Sequence, residues 1–150
     1  HYPLRRQRQM CIRDSDYSVF GISKPNNTKV LFDTADELGV TTVLDTELAA
    51  MTVREAAERA LAAVDGDRPI HLSIDLDVLP AAVAPGVSAP AGFGVEYATL
   101  RAMVEAVAST GRVALLDVVE LNPDFDVDNR TAKAAARLID DAVVGAKLRG

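Results

Sequence analysis

Ser73, Asp75 and Asp77 recur at every second position in the run IHLSIDLD. In an extended chain that period places all three side chains on one face and Leu72, Ile74 and Leu76 on the other. Alternate residues stand roughly 6.6 Å apart along a strand. Two carboxylates at that spacing can converge on a pair of cations, one bridging and one on a single ion, where the strand twists or ends. Burying both charges without a cation is costly, and one of the acids would tend to keep its proton. Acids at the tip of an apolar strand therefore invite a metal ion. A solvated strand end accommodates the same D-x-D pattern, and these residues alone leave both readings open.

His71 shares the face of the acids but lies roughly 13 Å before Asp75, too far to reach the same ion. It reads as a strand-start or core histidine, and the only other histidine is His1. The run Asp124-Phe125-Asp126-Val127-Asp128-Asn129 alternates carboxylates as a calcium loop does. Its sixth position is Asn129 instead of Gly and its twelfth is Ala135 instead of Glu, and a strand precedes it. Capping of a helix that begins near Thr131 is the better reading. Gly86, Gly92 and Gly94 do not spell G-x-G-x-x-G, so no dinucleotide or phosphate site is expected.

The elements that must position these groups follow from periodicity. YSVFGI (17–22), VTTVL (40–44), IHLSIDL (70–76) and RVALLDVVE (112–120) read as strands. Thr28–Leu38 carries Val30, Leu31, Ala35 and Leu38 at helical spacing, closed by Gly39. Thr52-Val53-Arg54-Glu55 is a capping box for a helix that runs to about Val64. A Pro-rich loop spans Leu79 to Gly94, and helices are expected over about 97–109 and 131–147. Strands separated by helices need crossovers, hence an α/β fold with a three-layer parallel sheet and helices on both faces. In such sheets ligands bind at the carboxyl ends of strands, which points to residues 75–94 and 117–130.

Composition bounds the function. The 150 residues are 49% hydrophobic and carry a formal charge of −6, which argues against nucleic acid as a partner. The only basic run, Arg5, Arg6, Arg8 and Arg13, lies in the first fifteen residues. Residues 1–15 are expected to be a disordered or non-native tail, and 16–150 the folded part. The single cysteine, Cys11, excludes an intrachain disulfide framework and fits a cytoplasmic protein. No apolar run approaches the roughly 20 residues needed to span a bilayer.

The segment SIDLDVLPAAVAPGVSAPAGFG resembles the signature of the ureohydrolase (arginase/agmatinase) superfamily. In that signature S-x-D-x-D is followed by a Pro, a P-G-x-x-x-P loop and glycines. Here these are Ser73, Asp75, Asp77, Pro80, Pro85, Gly86, Pro90, Gly92 and Gly94. DVVELNP (117–123) and TAKAAARLI (131–139) resemble later segments of the same family, and the similarity runs from about Phe20 to Val144. DLDVLPAAVAPGVSAPA and FGISKPNNT are most similar to formimidoylglutamases. Arginases and agmatinases usually carry D-x-x-D-P after the second ligand, whereas Asp77-Val78-Leu79-Pro80 is one residue shorter and lacks a third Asp.

The resemblance implies an arginase-like fold truncated on its amino-terminal side, and roles for its residues. Asp75 and Asp77 would be ligands of two Mn²⁺ ions, and Glu120 would hold the cationic nitrogen of the substrate. No residue is assigned as a catalytic acid or base, and Ser73 reads as support for the Asp pair. The implied reaction is hydrolysis of N-formimidoyl-L-glutamate to L-glutamate and formamide in histidine degradation. The substrate is a small molecule, and the family allows a homo-oligomer. Arg130 is a candidate for reading a substrate carboxylate. The histidine-containing ligand segments of the family have no counterpart here, so this chain alone is expected to bind Mn²⁺ poorly and to lack turnover. The alternatives are an agmatinase- or arginase-type guanidine hydrolase and a non-catalytic α/β binding domain.

Overall fold

A computed structural model describes residues 16–147. The expected tail over 1–15, with His1, Cys11 and the basic run, lies outside the described residues. The elements run β1 (Ser18–Ile22), α1 (Lys29–Glu37), β2 (Thr41–Leu44), α2 (Asp45–Ala49) and α3 (Val53–Ala63). They continue with β3 (Ile70–Asp75), α4 (Tyr97–Ala108), β4 (Val113–Val119) and α5 (Arg130–Lys147).

Both strand pairings are parallel, as the intervening helices require. β1 pairs with β2, and β3 pairs with β4 in a register that sets Ser73 opposite Asp117 and Asp75 opposite Val119. Among the described residues these are two separate hydrogen-bonded pairs, not one continuous sheet. A single apolar cluster nevertheless joins them, running from Val43 and Leu48 through Ile74 and Leu76 to Met103, Val104 and Leu138. Leu72, Leu116 and Val118 pack against the same cluster. α4 packs on α3 and on α5. Ala56, Ala60, Ala108 and Ala142 are buried along these helices. Small side chains let the backbones approach, and burial of the larger ones drives it.

Local chemistry explains most element ends. Thr52 Oγ1 accepts the Glu55 amide at 3.2 Å while Glu55 accepts the Thr52 amide at 2.7 Å, so the capping box forms as the sequence indicates. Helix α2 was not expected. It starts directly off β2, and Glu47 folds back to accept the Leu44 amide at 2.7 Å, a local cap that hydrophobic period does not reveal. Strand β3 stops one residue earlier than its apolar run, because Leu76–Val78 turn into a 3-10 helix. Helix α1 forms where spacing places it but buries none of its residues; Val30 and Leu31 are exposed.

One buried ion pair was not legible as such. Asp141 on α5 is 7% exposed and takes Arg101 of α4 and Arg137 of its own helix. Arg101 Nη2 donates at 2.8 Å and Arg137 Nε at 2.8 Å. Tyr97 adds a second tie between the helices, its hydroxyl donating to the Ala134 carbonyl at 2.9 Å.

Candidate functional site

The carboxyl ends of β3 and β4 lie side by side, and three acids leave them there. Asp75 is the last residue of β3. Asp77 follows within the 3-10 turn, so the three-residue alternation on one strand is corrected: only Ser73 and Asp75 are strand residues. The turn still keeps the acids together, since the Asp77 amide donates to Asp75 Oδ1 at 3.3 Å. Glu120 comes one residue after β4.

Electrostatics report the convergence. Burial, then the charge and hydrogen bond of Asp75, then the charge of Glu120 push the Asp77 carboxyl up to about 6. Crowding three carboxylates opposes ionisation of the one nearest the protein interior, and a cation bound among them would relieve that repulsion. The sign of the linkage follows. A raised folded pKa means that the unfolded chain ionises first, so stability is fully present below about 4 and is lost as pH rises through about 6. In the metal-free chain, Asp77→Asn should raise Tm at pH 7 to 8 by roughly 1–3 °C, a fraction of a kcal/mol in a chain of this size. It should also flatten the decline of Tm between pH 4 and 7. Thermal melts of both proteins across that range check it; parallel melting curves would contradict the assignment.

Glu120 is held in a constrained state. Its φ is +69°, the left-handed region that non-glycine residues rarely enter. Its Oε2 accepts the Ser88 hydroxyl at 2.8 Å, which ties β4 to the Pro-rich loop. The left-handed penalty exceeds the entropic cost of glycine, so Glu120→Gly should be more stable than Glu120→Ala by about 0.5–1 kcal/mol. Urea unfolding of the two variants measures this, and equal midpoints would show that no strain is held there.

The loop itself is fixed from both sides. The Gly86 amide donates to Thr131 Oγ1 at 2.8 Å, and its carbonyl accepts the Asn122 amide at 2.7 Å. A Cβ on Gly86 would come within 2.5 Å of Asp126 Cβ. Gly94 has φ +72° and a Cβ there would meet Pro80 N at 2.6 Å. Both glycines let backbone segments touch, which fixes the loop against Leu79–Pro80 and Asp126.

Several sequence-derived candidates take other roles. Asp126 accepts the Thr131 and Ala132 amides at 2.9 and 3.0 Å, so it caps α5 as expected of the acidic run. Arg130 donates to the Ala82 carbonyl at 3.1 Å, bracing the loop. His71 Nε2 donates to Asp117 Oδ2 at 2.8 Å. The neighbouring Ser73 hydroxyl and then His71 hold the Asp117 carboxyl below its usual range. Ser73 thus faces Asp117 across the strand pair, where support for the Asp75/Asp77 pair had been expected. Asp117 and Ser88 were missed as supporting residues. Only the β3–β4 register could have found Asp117, and nothing in the sequence marks Ser88.

Asp75, Asp77 and Glu120 are therefore gathered at one strand end. Among the described residues, no three His, Cys, Asp or Glu side chains are arranged to hold a metal ion on their own. The family profile described as the Arginase family matches residues 2–145. The chain belongs to the Arginase family. Its relatives include the formimidoylglutamase of Corynebacterium efficiens, 48% identical over 91% of this chain and 44% of that protein. The formimidoylglutamase of Nocardia farcinica is 51% identical over 88% of this chain and 43% of that protein. The crystal structure of formimidoylglutamase from Bacillus subtilis superposes with a TM-score of 0.86 at 26% identity, covering 97% of this chain and 46% of that one. The chain thus has the α/β fold of arginase-like proteins and spans less than half the length of the relatives it matches. No described helix is long and apolar enough to cross a membrane.

Proposed function

We propose that this chain is part of a formimidoylglutamase, in which Asp75 and Asp77 bind a pair of Mn²⁺ ions together with ligands from the rest of the protein. The observation that carries the reading is the convergence of Asp75, Asp77 and Glu120, with the Asp77 carboxyl pushed up to about 6. The donor set fits the metal: carboxylates suit hard and borderline divalent cations, and a cation removes the repulsion that raises Asp77. When bound, such ions supply electrophilic activation and lower the pKa of a water.

The remaining roles belong to this chain. Glu120, oriented by the Ser88 hydroxyl, accepts charge-assisted hydrogen bonds from the cationic amidine nitrogen. That contact holds the formimidoyl carbon over Asp75 and Asp77. The loop anchored at Gly86 and Gly94 carries Ser88, which fixes the Glu120 carboxylate. Water adds to the formimidoyl carbon, the bond from that carbon to the glutamate nitrogen breaks, and the amine leaves with a proton. The products are L-glutamate and formamide. The likeness to formimidoylglutamases at 48% and 51% identity supports this substrate over arginine or agmatine. A cytoplasmic setting belongs to the proposal and is supported by the single cysteine of the sequence.

The test is an assay of the full-length protein, loaded with Mn²⁺, on N-formimidoyl-L-glutamate, arginine and agmatine in parallel. Formamide release with no urea from the other two substrates is expected. Urea release as the dominant activity would overturn the substrate, and no turnover on any of the three would overturn the hydrolase reading.

A further inference from the structure

Strand β4 is apolar on both faces, and only Asp117 interrupts the run VALLDVV. Leu116 and Val118 pack on the core, while Leu115 and Val119 on the other face are 54% and 37% exposed. The apolar pattern therefore does little to choose which face turns inward. A one-residue slip would exchange Leu116 for Leu115 and Val118 for Val119. The pairing with β3 is also irregular at its start. Ile70 stands opposite Val113 but His71 stands opposite Leu115, so Ala114 is an extra residue in β4. Such a bulge leaves one residue out of the ladder.

A regular ladder without the bulge is open to the same two strands. If Ile70 keeps Val113 and each following residue pairs in turn, Leu72 meets Leu115 and Ile74 meets residue 117. The inward face of β4 would then be apolar at every position except Asp117. In the present register Asp117 stands opposite Ser73, and His71 Nε2 donates to its Oδ2 at 2.8 Å. Slip would break that bond and press the carboxylate against Ile74, which is 2% exposed. Burying an unpaired charge in that way is costly.

The consequence reaches the strand ends. Asp75 stands opposite Val119, and Glu120 follows directly. The slip would move Glu120 by roughly 3.3 Å along β3 and turn it to the opposite face. Its bond from the Ser88 hydroxyl, and that from the Asn122 amide to the Gly86 carbonyl, would be lost.

We infer that Asp117, held by His71, selects the bulged register of β3 and β4 and so positions Glu120 beside Asp75. Asp117 is a positioning residue, and its bearing on substrate rests on the role of Glu120 proposed above.

The test begins with inter-strand backbone NOEs, measured by NMR on the 150-residue chain and three variants. The unsubstituted chain should pair 73 with 117 and 75 with 119. Asp117→Val should exchange these for NOEs that pair 74 with 117 and 75 with 118. Asp117→Asn stays too polar for the core and should keep the present pairing. Deleting Ala114 within Asp117→Val removes the extra residue, so the regular ladder becomes the present one and 75 should pair with 119 again. In the full-length, Mn²⁺-loaded protein, Asp117→Val should raise KM for N-formimidoyl-L-glutamate by about tenfold or more, the worth of a charge-assisted hydrogen bond. Metal content and kcat should hold, because Asp75 and Asp77 leave the other strand. Asp117→Asn and the deletion should bring KM back to within about threefold. No turnover by the unsubstituted full-length protein would sink the hydrolase reading, and the NOEs would still decide the register. Asp117→Val in the present pairing, Asp117→Asn out of it, or a deletion that does not restore it would each overturn the inference. If Asp117→Val does not fold, the deletion variant decides alone. A shifted ladder with unchanged KM would overturn the link to Glu120.

Discussion

Asp75→Asn in the full-length, Mn²⁺-loaded protein is expected to lower kcat on N-formimidoyl-L-glutamate by roughly a thousandfold or more. Metal activation is worth several kcal/mol, and each 1.36 kcal/mol is a factor of ten in rate. The amide keeps the shape of the side chain and its place at the end of β3, where the Asp77 amide donates to it. It removes the charge that a metal pair requires. Metal content should fall together with the rate, while the melting temperature of the metal-free protein stays constant or rises as repulsion on Asp77 is relieved. Formamide production and metal analysis of the same preparation check both. A kcat within tenfold of the unsubstituted protein would remove Asp75 from the metal site. For the same reason the 150-residue chain should show no turnover: Asp75 and Asp77 together do not provide the coordination shell of two ions.

What was legible in the sequence is what depends on one element at a time. Asp75 was marked because a period of two on an apolar run assigns the face, whereas Glu120 was marked by the resemblance of DVVELNP to a ureohydrolase segment. Parallel pairing followed from the helices between strands. What the sequence could not show depends on two elements meeting. The His71–Asp117 bond exists because of the β3–β4 register, and one step of slip would send Asp117 to the opposite face. Asp77 lies in a turn because a 3-10 helix takes over at Leu76, whereas the alternating pattern alone would have continued the strand. Helix α1 shows the converse. Its spacing is helical, but Val30 and Leu31 have nothing to cover them among the described residues, so period fixed the element without fixing its burial. Asp45, the first residue of α2, is similar: it is buried, and nothing in LDTELA distinguishes it from an ordinary helix-start acid.

Asp141 carries the largest expected effect on stability for the same reason. In sequence it is one of two adjacent acids on an amphipathic helix and reads as surface, but the α4–α5 contact buries it between two guanidinium groups. Removing one partner of a buried ionic group leaves the others unpaired, at a cost of 3–5 kcal/mol where burial is complete. Arg101 is 33% and Arg137 56% exposed, so solvent can recover part of their charge. Asp141→Ala should therefore sit at the low end, about 3 kcal/mol, or roughly 6–12 °C in Tm for a chain of this length. The pH dependence has a definite sign. The hydrogen bond from Arg101 first, against the penalty of burial, and then the bond from Arg137 hold the carboxyl down to about 2. A depressed folded pKa gives stability that is present above the unfolded value near 4 and is lost as pH falls through about 2. The difference in Tm between the unsubstituted chain and Asp141→Ala should then shrink between pH 4 and 2. Replacing the group as a whole separates charge pairing from packing: Arg101→Met/Asp141→Leu should regain most of the loss, because an apolar contact of similar volume carries no desolvation penalty. If the double substitution is less stable than Asp141→Ala, the helices are held by the geometry of the ion pair itself, and α4 and α5 cannot be treated as joined mainly by apolar burial.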